Sequence, residues 1–532
     1  MLKGGNVMGI YLNPDNGKFQ EALNSQIYVD KSELIEYTNK QLKTTQKYIC
    51  VSRPRRFGKS MTLNMLSAYY SLGADSELQF GNLKISQSES YKKHLNKYNV
   101  IFVNMQEFLS NSNNMDEMLD ILKRSLLWEL TDEFSSVRFF NQNNLSRTMM
   151  DIYAKFKIPF IILIDEWDCI FREHRNDKDS QKKYLDFLRD WLKDKEYLAL
   201  AYMTGILPIK KYGTHSALNM FAEYSMIDSV PLSSYIGFTE NEVRELCNKY
   251  DSDLDSMRYW YDGYYLDNVE HIYCPRSVIM SITKKRFGSY WAETETYEAL
   301  AKYISMDFDG LHSTIENLLA GQRETINTRS FSNDMVTFEC KDDILTLLVH
   351  LGYLGYIYDT KEIYIPNKEV ADEFITSMSR SGLWKETMEA VQKSNQLLKD
   401  TLNKNTEKIE NAISEIHRQT VSPLQYNNEQ ALRFVILLAY YSAREYYNIV
   451  QEMPSGEGFA DIMFIPRYKH SEYPAMIVEL KWNKSADTAI NQIKDKKYFD
   501  NLNDCKKILL VGINYDKNTK KHECKIEEFF NI

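Results

Sequence analysis

The hydrophobic pattern gives the chain three textures. In the first, short apolar runs alternate with helical spacing. Lys47–Ser52 reads as a buried strand, and residues 60–71 place Met61, Met65, Leu66 and Tyr69 at the intervals of a helix face. Further strands are predicted at Val100–Met105, Phe160–Ile164 and Leu198–Met203, with helices at 115–130 and 180–193 between them. Strands alternating with helices imply a mostly parallel sheet covered on both faces.

After about Ser233 the texture turns helical. Thr239 is an N-cap candidate ahead of an acidic first turn, and Pro275–Phe287 is another predicted helix. Residues 341–375 read as helix, glycine-bearing turn and short hairpin (355–357 with 363–365). That fits either a helical connector with a β-ribbon or a winged-helix-like lid. Residues 384–419 are polar with a helical pattern and read as an exposed linker helix. From Asn427 onward come an apolar helix, strands near Ala460–Pro466 and Ala475–Leu480, a helix near 486–501 and a strand at Ile508–Ile513. The expected layout is α/β and multidomain: a parallel-sheet domain over 1–234, a helical and winged-helix-like lid region over 235–383, the linker helix 384–419, and an α/β module over 420–532.

Composition adjusts this picture only slightly. A chain of 532 residues exceeds one compact core, and 43% hydrophobic with 26% charged residues is ordinary for a folded protein. The net charge of −9 argues against a protein that coats nucleic acid over its whole surface, though not against a local basic groove. No apolar h-region follows Met1-Leu2-Lys3-Gly4-Gly5. The longest apolar runs, Pro159–Ile164 and Phe434–Tyr441, fall far short of a membrane span. Seven scattered cysteines without a C-x-x-C pair fit reduced thiols better than a disulfide framework or a zinc cluster. A cytoplasmic protein with no membrane partner is expected.

The first candidate chemistry lies between the first strand and its helix. Residues 53–60 are Arg-Pro-Arg-Arg-Phe-Gly-Lys-Ser, in the place of a P-loop. The loop backbone around Arg56 and Gly58 and the helix N-terminus would wrap phosphates. Lys59 would reach the β/γ oxygens, and the Ser60 hydroxyl would ligate Mg²⁺. Arg53 stands where the general motif has its first glycine. Downstream, an apolar strand ends in Asp165-Glu166, as a Walker B site requires: Asp165 to hold Mg²⁺ through water, Glu166 to polarise the attacking water. A buried strand capped by two solvated acids would look the same in isolation. Thr204, ending the next strand, is a candidate polar sensor of the γ-phosphate.

The second candidate chemistry lies near the C-terminus. Asp461 is followed after seventeen residues by Glu479-Leu480-Lys481. Two carboxylates converging on a divalent metal polarise a scissile phosphate, and a lysine beside them orients or deprotonates water. Glu479 and Lys481 are two apart in a strand and so face the same side. A mutually paired Glu479 and Lys481 would satisfy the same pattern without a metal. Oxygen donors alone favour Mg²⁺ or Mn²⁺.

Arg53-Pro54-Arg55-Arg56-Phe57-Gly58-Lys59-Ser60, Asp165-Glu166-Trp167-Asp168, Thr204-Gly205 and Trp260-Tyr261-Asp262-Gly263-Tyr264 together resemble the bacterial AAA-ATPase-like family. Its members commonly join this ATPase to a C-terminal PD-(D/E)XK nuclease-superfamily domain. Gly456-Glu457-Gly458-Phe459-Ala460-Asp461 resembles the approach to the first aspartate of that superfamily. Ala489–Ile493 through Lys496-Lys497-Tyr498 resembles the helix after its Glu-x-Lys strand, where Gln492 and Lys496 share a face suited to phosphate or to the surroundings of the metal. Glu429 matches an acid often found on the opening helix; it either completes the metal site or complements the helix dipole. The resemblance implies a P-loop NTPase parallel sheet, a winged-helix-like middle region as in STAND-type switch ATPases, and a restriction-endonuclease-like α/β module. It implies ATP and Mg²⁺ as cofactors, DNA as the nucleic-acid partner by analogy, and leaves room for a homo-oligomer. The alternative is an ATP-dependent switch or scaffold whose C-terminal domain binds nucleic acid or partners without cleaving.

Overall fold

The computed structural model describes residues 9–209, 218–267, 269–291, 297–306, 308–420, 429–467 and 470–531. It divides into two compact units, 1–295 with 325–370 and 296–324 with 371–532. Met1–Gly5 and Asn427–Asn428, used in the sequence reading, lie outside the described residues.

In the first unit, strands β1 (Tyr48–Ser52), β2 (Asn99–Asn104), β3 (Phe160–Asp165), β4 (Leu198–Gly205) and β5 (Ala222–Tyr224) pair in parallel in the order β2-β3-β4-β1-β5. Strands β1, β3 and β4 are buried at every position, which is why their apolar runs are continuous rather than alternating. Because β4 lies between β1 and β3, with Val51 opposite Thr204 and Ile164 opposite Met203, the carboxyl ends of all three strands meet at one sheet edge.

The same unit contains a small antiparallel sheet of β6 (Phe238–Thr239), β7 (Tyr264–Leu266) and β8 (Val269–Tyr273). Thr239 caps helix Glu240–Tyr250, and the Glu242 carboxylate accepts the Thr239 N–H at 2.8 Å to close a capping box. After the two-residue strand β9 (Glu324–Thr325) come helix Lys341–Leu351, a turn at Gly352 (φ +90°) and the hairpin β10 (Gly355–Ile357) and β11 (Glu362–Tyr364). This is the helix, turn and hairpin expected for 341–375, but it is compact with the P-loop sheet rather than part of a separate region. The Trp260–Tyr264 string supplies the tie. The Tyr264 ring meets the Phe57 ring at 5.3 Å, and its hydroxyl donates to the Gly352 carbonyl at 2.7 Å. Gly263 sits at φ +115°, where an added Cβ would lie 2.0 Å from the Pro366 carbonyl oxygen, so only glycine fits.

The second unit is built on β12 (Tyr447–Ser455), β13 (Gly458–Pro466), β14 (Ala475–Trp482), β15 (Lys507–Asp516) and β16 (Lys521–Phe530), paired in that order. Only β14 and β15 run parallel. Both faces of the sheet are covered. Met476, Val478 and Leu480 share a core with Leu397, Ile413 and Val435, whereas Ala475 and Ile477 share one with Ile490 and Ile493. The stretch 384–419 is therefore not an exposed linker. It forms two helices, Lys385–Leu402 and Thr406–Thr420, whose Ala390, Leu397, Leu398, Ile409, Ile413 and Ile416 are buried in this core. Apolar positions three and four apart make a narrow stripe that a largely polar composition conceals. The helix expected over 486–501 ends at Asp495, and a 3₁₀ turn follows at Tyr498–Asn501. All seven cysteines are free. Among the described residues no helix is long and apolar enough to cross a membrane.

Candidate functional site

The first site forms where β1, β3 and β4 end. Gly58 caps helix Lys59–Tyr70 at φ +96°, and an added Cβ there would meet nothing within 4 Å. Space is open in front of the loop, and only the backbone conformation demands glycine. Arg56 also adopts a positive φ, +68°. The Lys59 ammonium is buried and donates to the carbonyls of Arg53 and Pro54, each at 3.0 Å. Burial pulls it below its ordinary pKa, opposed by Glu166 and Asp165. Asp165 gathers the other groups: Oδ2 accepts the Ser60 hydroxyl at 2.6 Å, and Oδ1 accepts the Thr204 hydroxyl at 2.6 Å. The Lys59-Ser60 pair, Asp165 and Thr204, far apart in the chain, are thus one cluster.

Glu166 follows at φ +53° and is ion-paired with Arg172, which also lies 3.3 Å from Asp168. Burial pushes the Glu166 carboxyl above its usual range, against the pull of Arg172 and Lys59. Asp168 is fully buried and accepts the N–H groups of Ile206 and Leu207 at 3.0 and 2.8 Å, locking the end of β4. A cleft of about 380 Å³ opens beside the loop, walled by Ile27, Tyr28, Val29, Phe238 and Ile279, with Arg276 at its rim.

The second site sits where a ladder breaks. The antiparallel pairing of β13 with β14 runs from Phe464 opposite Met476 to Ile462 opposite Val478. The next rung would join Asp461 to Glu479, and there the strands part. The Asp461 Oδ2 accepts the Leu480 N–H at 2.8 Å, which keeps it beside the Glu-x-Lys strand. Glu479 and Lys481 lie on the face covered by helix Ala486–Asp495, as the two-residue spacing requires. Lys481 Nζ donates to Glu479 Oε1 at 2.7 Å and to the Leu480 carbonyl at 3.0 Å. Gln492 donates to the same Glu479 oxygen and, at 3.1 Å, to the Tyr498 hydroxyl. Burial, then the charge of Asp461, push the Glu479 carboxyl up to about 7, against the pull of Lys481.

Residues 18–214 match the family described as "Predicted AAA-ATPase", and residues 427–525 match the "PD-(D/E)XK nuclease superfamily". The chain joins an AAA-ATPase-like domain to a PD-(D/E)XK nuclease-superfamily domain. It is 25% identical over 277 residues to an uncharacterized protein in the vnfD 5′ region of Azotobacter chroococcum mcd 1, and spans about half (51%) of that relative's length and 51% of its own. Among solved structures it is similar to Cdc6p from Pyrobaculum aerophilum (10% identity, TM-score 0.24, 69% of this chain and 98% of that one). It is also similar to the Aeropyrum pernix ORC2 protein (13%, 0.28, 71% and 98%). Likenesses at this level carry no functional argument; strand order and register define the fold.

In the AAA-ATPase-like domain, the open space before Gly58 and the oxygen pair Ser60–Asp165 fit phosphates and Mg²⁺. In the nuclease-superfamily domain, Glu479 Oε2 is buried without a hydrogen-bond partner, an expensive arrangement that a divalent cation would relieve. Among the described residues, however, no three His, Cys, Asp or Glu side chains gather as a metal cage. Glu429 is exposed at the first position of helix Glu429–Ala439. Lys496 is exposed just past its helix, and its carbonyl accepts the Glu457 N–H at 2.8 Å. The sequence reading missed Arg433, one turn beyond Glu429, whose Nη2 lies 3.1 Å from Asp461 Oδ1. It also missed Arg172 and Arg276. A lone arginine on a helix has no spacing signal; only the fold brings it to a carboxylate or a cleft.

Proposed function

We propose that this protein binds and hydrolyses ATP with Mg²⁺, and that its nucleotide state controls a metal-dependent nuclease activity of the C-terminal domain. The reading is carried by Asp461 and Glu479, which face each other across the missing rung of a broken ladder, with Lys481 hydrogen-bonded to one Glu479 oxygen and the other Glu479 oxygen buried without a partner. Asp461 and Glu479 would hold the cation, with Mn²⁺ an acceptable substitute for Mg²⁺. When bound it supplies Lewis acidity toward a phosphodiester. Lys481, hydrogen-bonded to Glu479, would orient water and offset developing charge, while Gln492, itself bonded to Tyr498, would steady Glu479. DNA is the substrate class favoured by analogy with the superfamily.

In the ATPase-like domain, Lys59 would exchange two loop carbonyls for phosphate oxygens, Ser60 and Asp165 would hold Mg²⁺, and Thr204 would report on the γ-phosphate. The apolar wall of the cleft suits a base, and Arg276 at its rim a phosphate. A second reading, an ATP-binding switch with little turnover, draws on the ion pair that ties Glu166 to Arg172. The deciding experiment incubates purified protein with single- and double-stranded DNA and RNA, with and without ATP and Mn²⁺. Metal-dependent cleavage lost in Asp461→Ala supports the nuclease reading; intact substrates under every condition favour the switch.

A further inference from the structure

The fork at Asp461 is broken on both sides. Pairing of β12 with β13 passes from Gln451–Ile462 to Met453–Ala460 and skips the rung Glu452–Asp461. The missing rung toward β14 is Asp461–Glu479. Three carboxylates, Glu452, Asp461 and Glu479, therefore occupy one row across three adjacent strands. Within that row Arg433 takes the place of the first missing rung: Nη2 lies 3.1 Å from Asp461 Oδ1, and Nη1 pairs with Glu452.

We propose that Arg433 is a positioning residue of this fork, fixing the Asp461 carboxylate in the orientation that binds a divalent cation, with Glu452 as its second anchor. The inference rests on the nuclease-type reading above. Both Asp461 oxygens are engaged, Oδ1 by Arg433 and Oδ2 by the Leu480 N–H, so the carboxylate cannot turn, yet each oxygen keeps a lone pair. Glu452 is held at φ +50°, a conformation costly for a non-glycine residue and retained where the surroundings impose it. A guanidinium suits the task because its two terminal nitrogens diverge in one plane, and a lysine ammonium has no such fork. Three carboxylates stand against two cations, Arg433 and Lys481, so the row is net negative whenever Glu479 is ionised, as it would be with a cation bound. Hydrogen-bonded partners of this kind orient metal-binding carboxylates, and their removal typically lowers metal affinity about 10- to 100-fold.

The test is Mn²⁺ titration of the full-length protein, free Mn²⁺ being read by electron paramagnetic resonance, with Asp461→Ala marking the contribution of this site. Arg433→Gln is expected to weaken the Asp461-dependent site about 10-fold or more. Arg433→Lys should recover only part of the affinity. Glu452→Gln, which leaves Arg433 and Asp461 in place, should give an intermediate loss and serves if Arg433→Gln folds poorly. Equal or tighter binding in Arg433→Gln would overturn the proposal, tighter binding marking Arg433 as a competitor of the metal. Full recovery in Arg433→Lys would overturn it too, because charge alone would then suffice. Identical titrations of wild type and Asp461→Ala would remove the metal site itself, and the nuclease reading with it. An Asp461-dependent site indifferent to Arg433 and Glu452 would sink this inference alone.

Discussion

The guanidinium of Arg53 lies 2.7 Å from the carbonyl oxygen of Ser225, reached from inside the protein. The same nitrogen lies 3.0 Å from the Ser52 carbonyl and 3.3 Å from that of Tyr224, and the side chain is fully buried. This relationship accounts for the departure from the general P-loop pattern. Where that pattern has glycine, this loop has a side chain that turns into the interior and fastens β1 to the end of β5. Burial in that position draws the guanidinium down to about 10.

Arg53→Gly, which restores the general motif, is therefore expected to harm the protein. Unpairing buried carbonyls and opening a cavity should cost about 2–4 kcal/mol, reduced somewhat by relief of a buried charge. Calorimetry of the variant checks this. A melting temperature at or above wild type, with tighter nucleotide binding, would show that Arg53 is a tolerated substitution and not a fastener.

Lys59→Ala should abolish nucleotide binding while the fold survives. Its ammonium is buried against two carbonyls, and its loss also removes a desolvated charge, so stability should change by less than about 1–2 kcal/mol. Fluorescent-nucleotide titration beside circular dichroism is the measurement. Wild-type affinity in the folded variant would dismiss the P-loop assignment.

Glu166→Gln should bind ATP-Mg²⁺ but turn it over about 10²-fold or more slowly, the lower range for loss of a general base. Arg172→Gln probes the opposite element. If the ion pair restrains Glu166, releasing it should raise basal turnover above wild type. Steady-state phosphate release measures both, and a fall in Arg172→Gln equal to that of Glu166→Gln would instead place Arg172 among the groups that turnover requires.

His417 and His522 meet in the second unit at 5.3 Å between ring centroids, and Ser414 hydrogen-bonds His522 Nδ1 at 2.9 Å. Burial, then Arg418, lower His417 to about 4; burial, then His417, lower His522 to about 3. With unfolded values near 6.5, the unfolded chain binds these protons more tightly. Their neutral forms thus contribute stability that is complete above about pH 6.5 and lost as pH falls through about 4 toward 3. His522→Gln should shift acid unfolding to lower pH, by about half a unit or more, as followed by circular dichroism. A midpoint unmoved or raised would contradict this.

The sequence made the buried strands legible and hid the edges. β1, β3, β4 and β14 announce themselves because both faces are covered, so each opens on an unbroken apolar run before its polar site residues. β12 and β16, the two edge strands of the C-terminal sheet, carry mixed patterns (Tyr447–Ser455 and Lys521–Phe530) because one side of each meets solvent. β5 is short and partly exposed for the same reason. At the candidate sites, motif spacing singled out Lys59, Ser60 and Asp165 and, separately, Asp461, Glu479 and Lys481, sets that the fold gathers. It could not find Arg433 or Arg172, which act from helices on carboxylates distant in sequence or one turn away. The core residues of 385–420 were hidden by their polar neighbours, and a fragment beginning at 420 would cut through that core.

The last prediction concerns control of the C-terminal domain by nucleotide. Arg276 lines the cleft beside the Gly58–Lys59 loop, and the next residue, Ser277, donates to Glu369 Oε2 at 2.7 Å. Glu369 Oε1 accepts the N–H groups of Trp291, at 2.6 Å, and Tyr290, so this buried carboxylate fastens the first turn of helix Lys368–Ser379 to the cleft wall. Val370 ends the second segment of the first unit and Ala371 begins the second segment of the other, so this unit boundary falls within that helix. ATP can influence a distant site only by binding one arrangement more tightly than another, and a differential of about 1–3 kcal/mol changes an active population about 5- to 150-fold. Metal-dependent cleavage by full-length protein is therefore expected to respond to ATP. Lys59→Ala should lose the response while keeping basal cleavage, and Glu369→Gln should bind ATP normally but respond less. Asp461→Ala is the blank. ATP-independent cleavage, equal in wild type, Lys59→Ala and Glu369→Gln, would establish two independent enzymes on one chain, and cleavage persisting in the blank would assign the activity to something other than this fork.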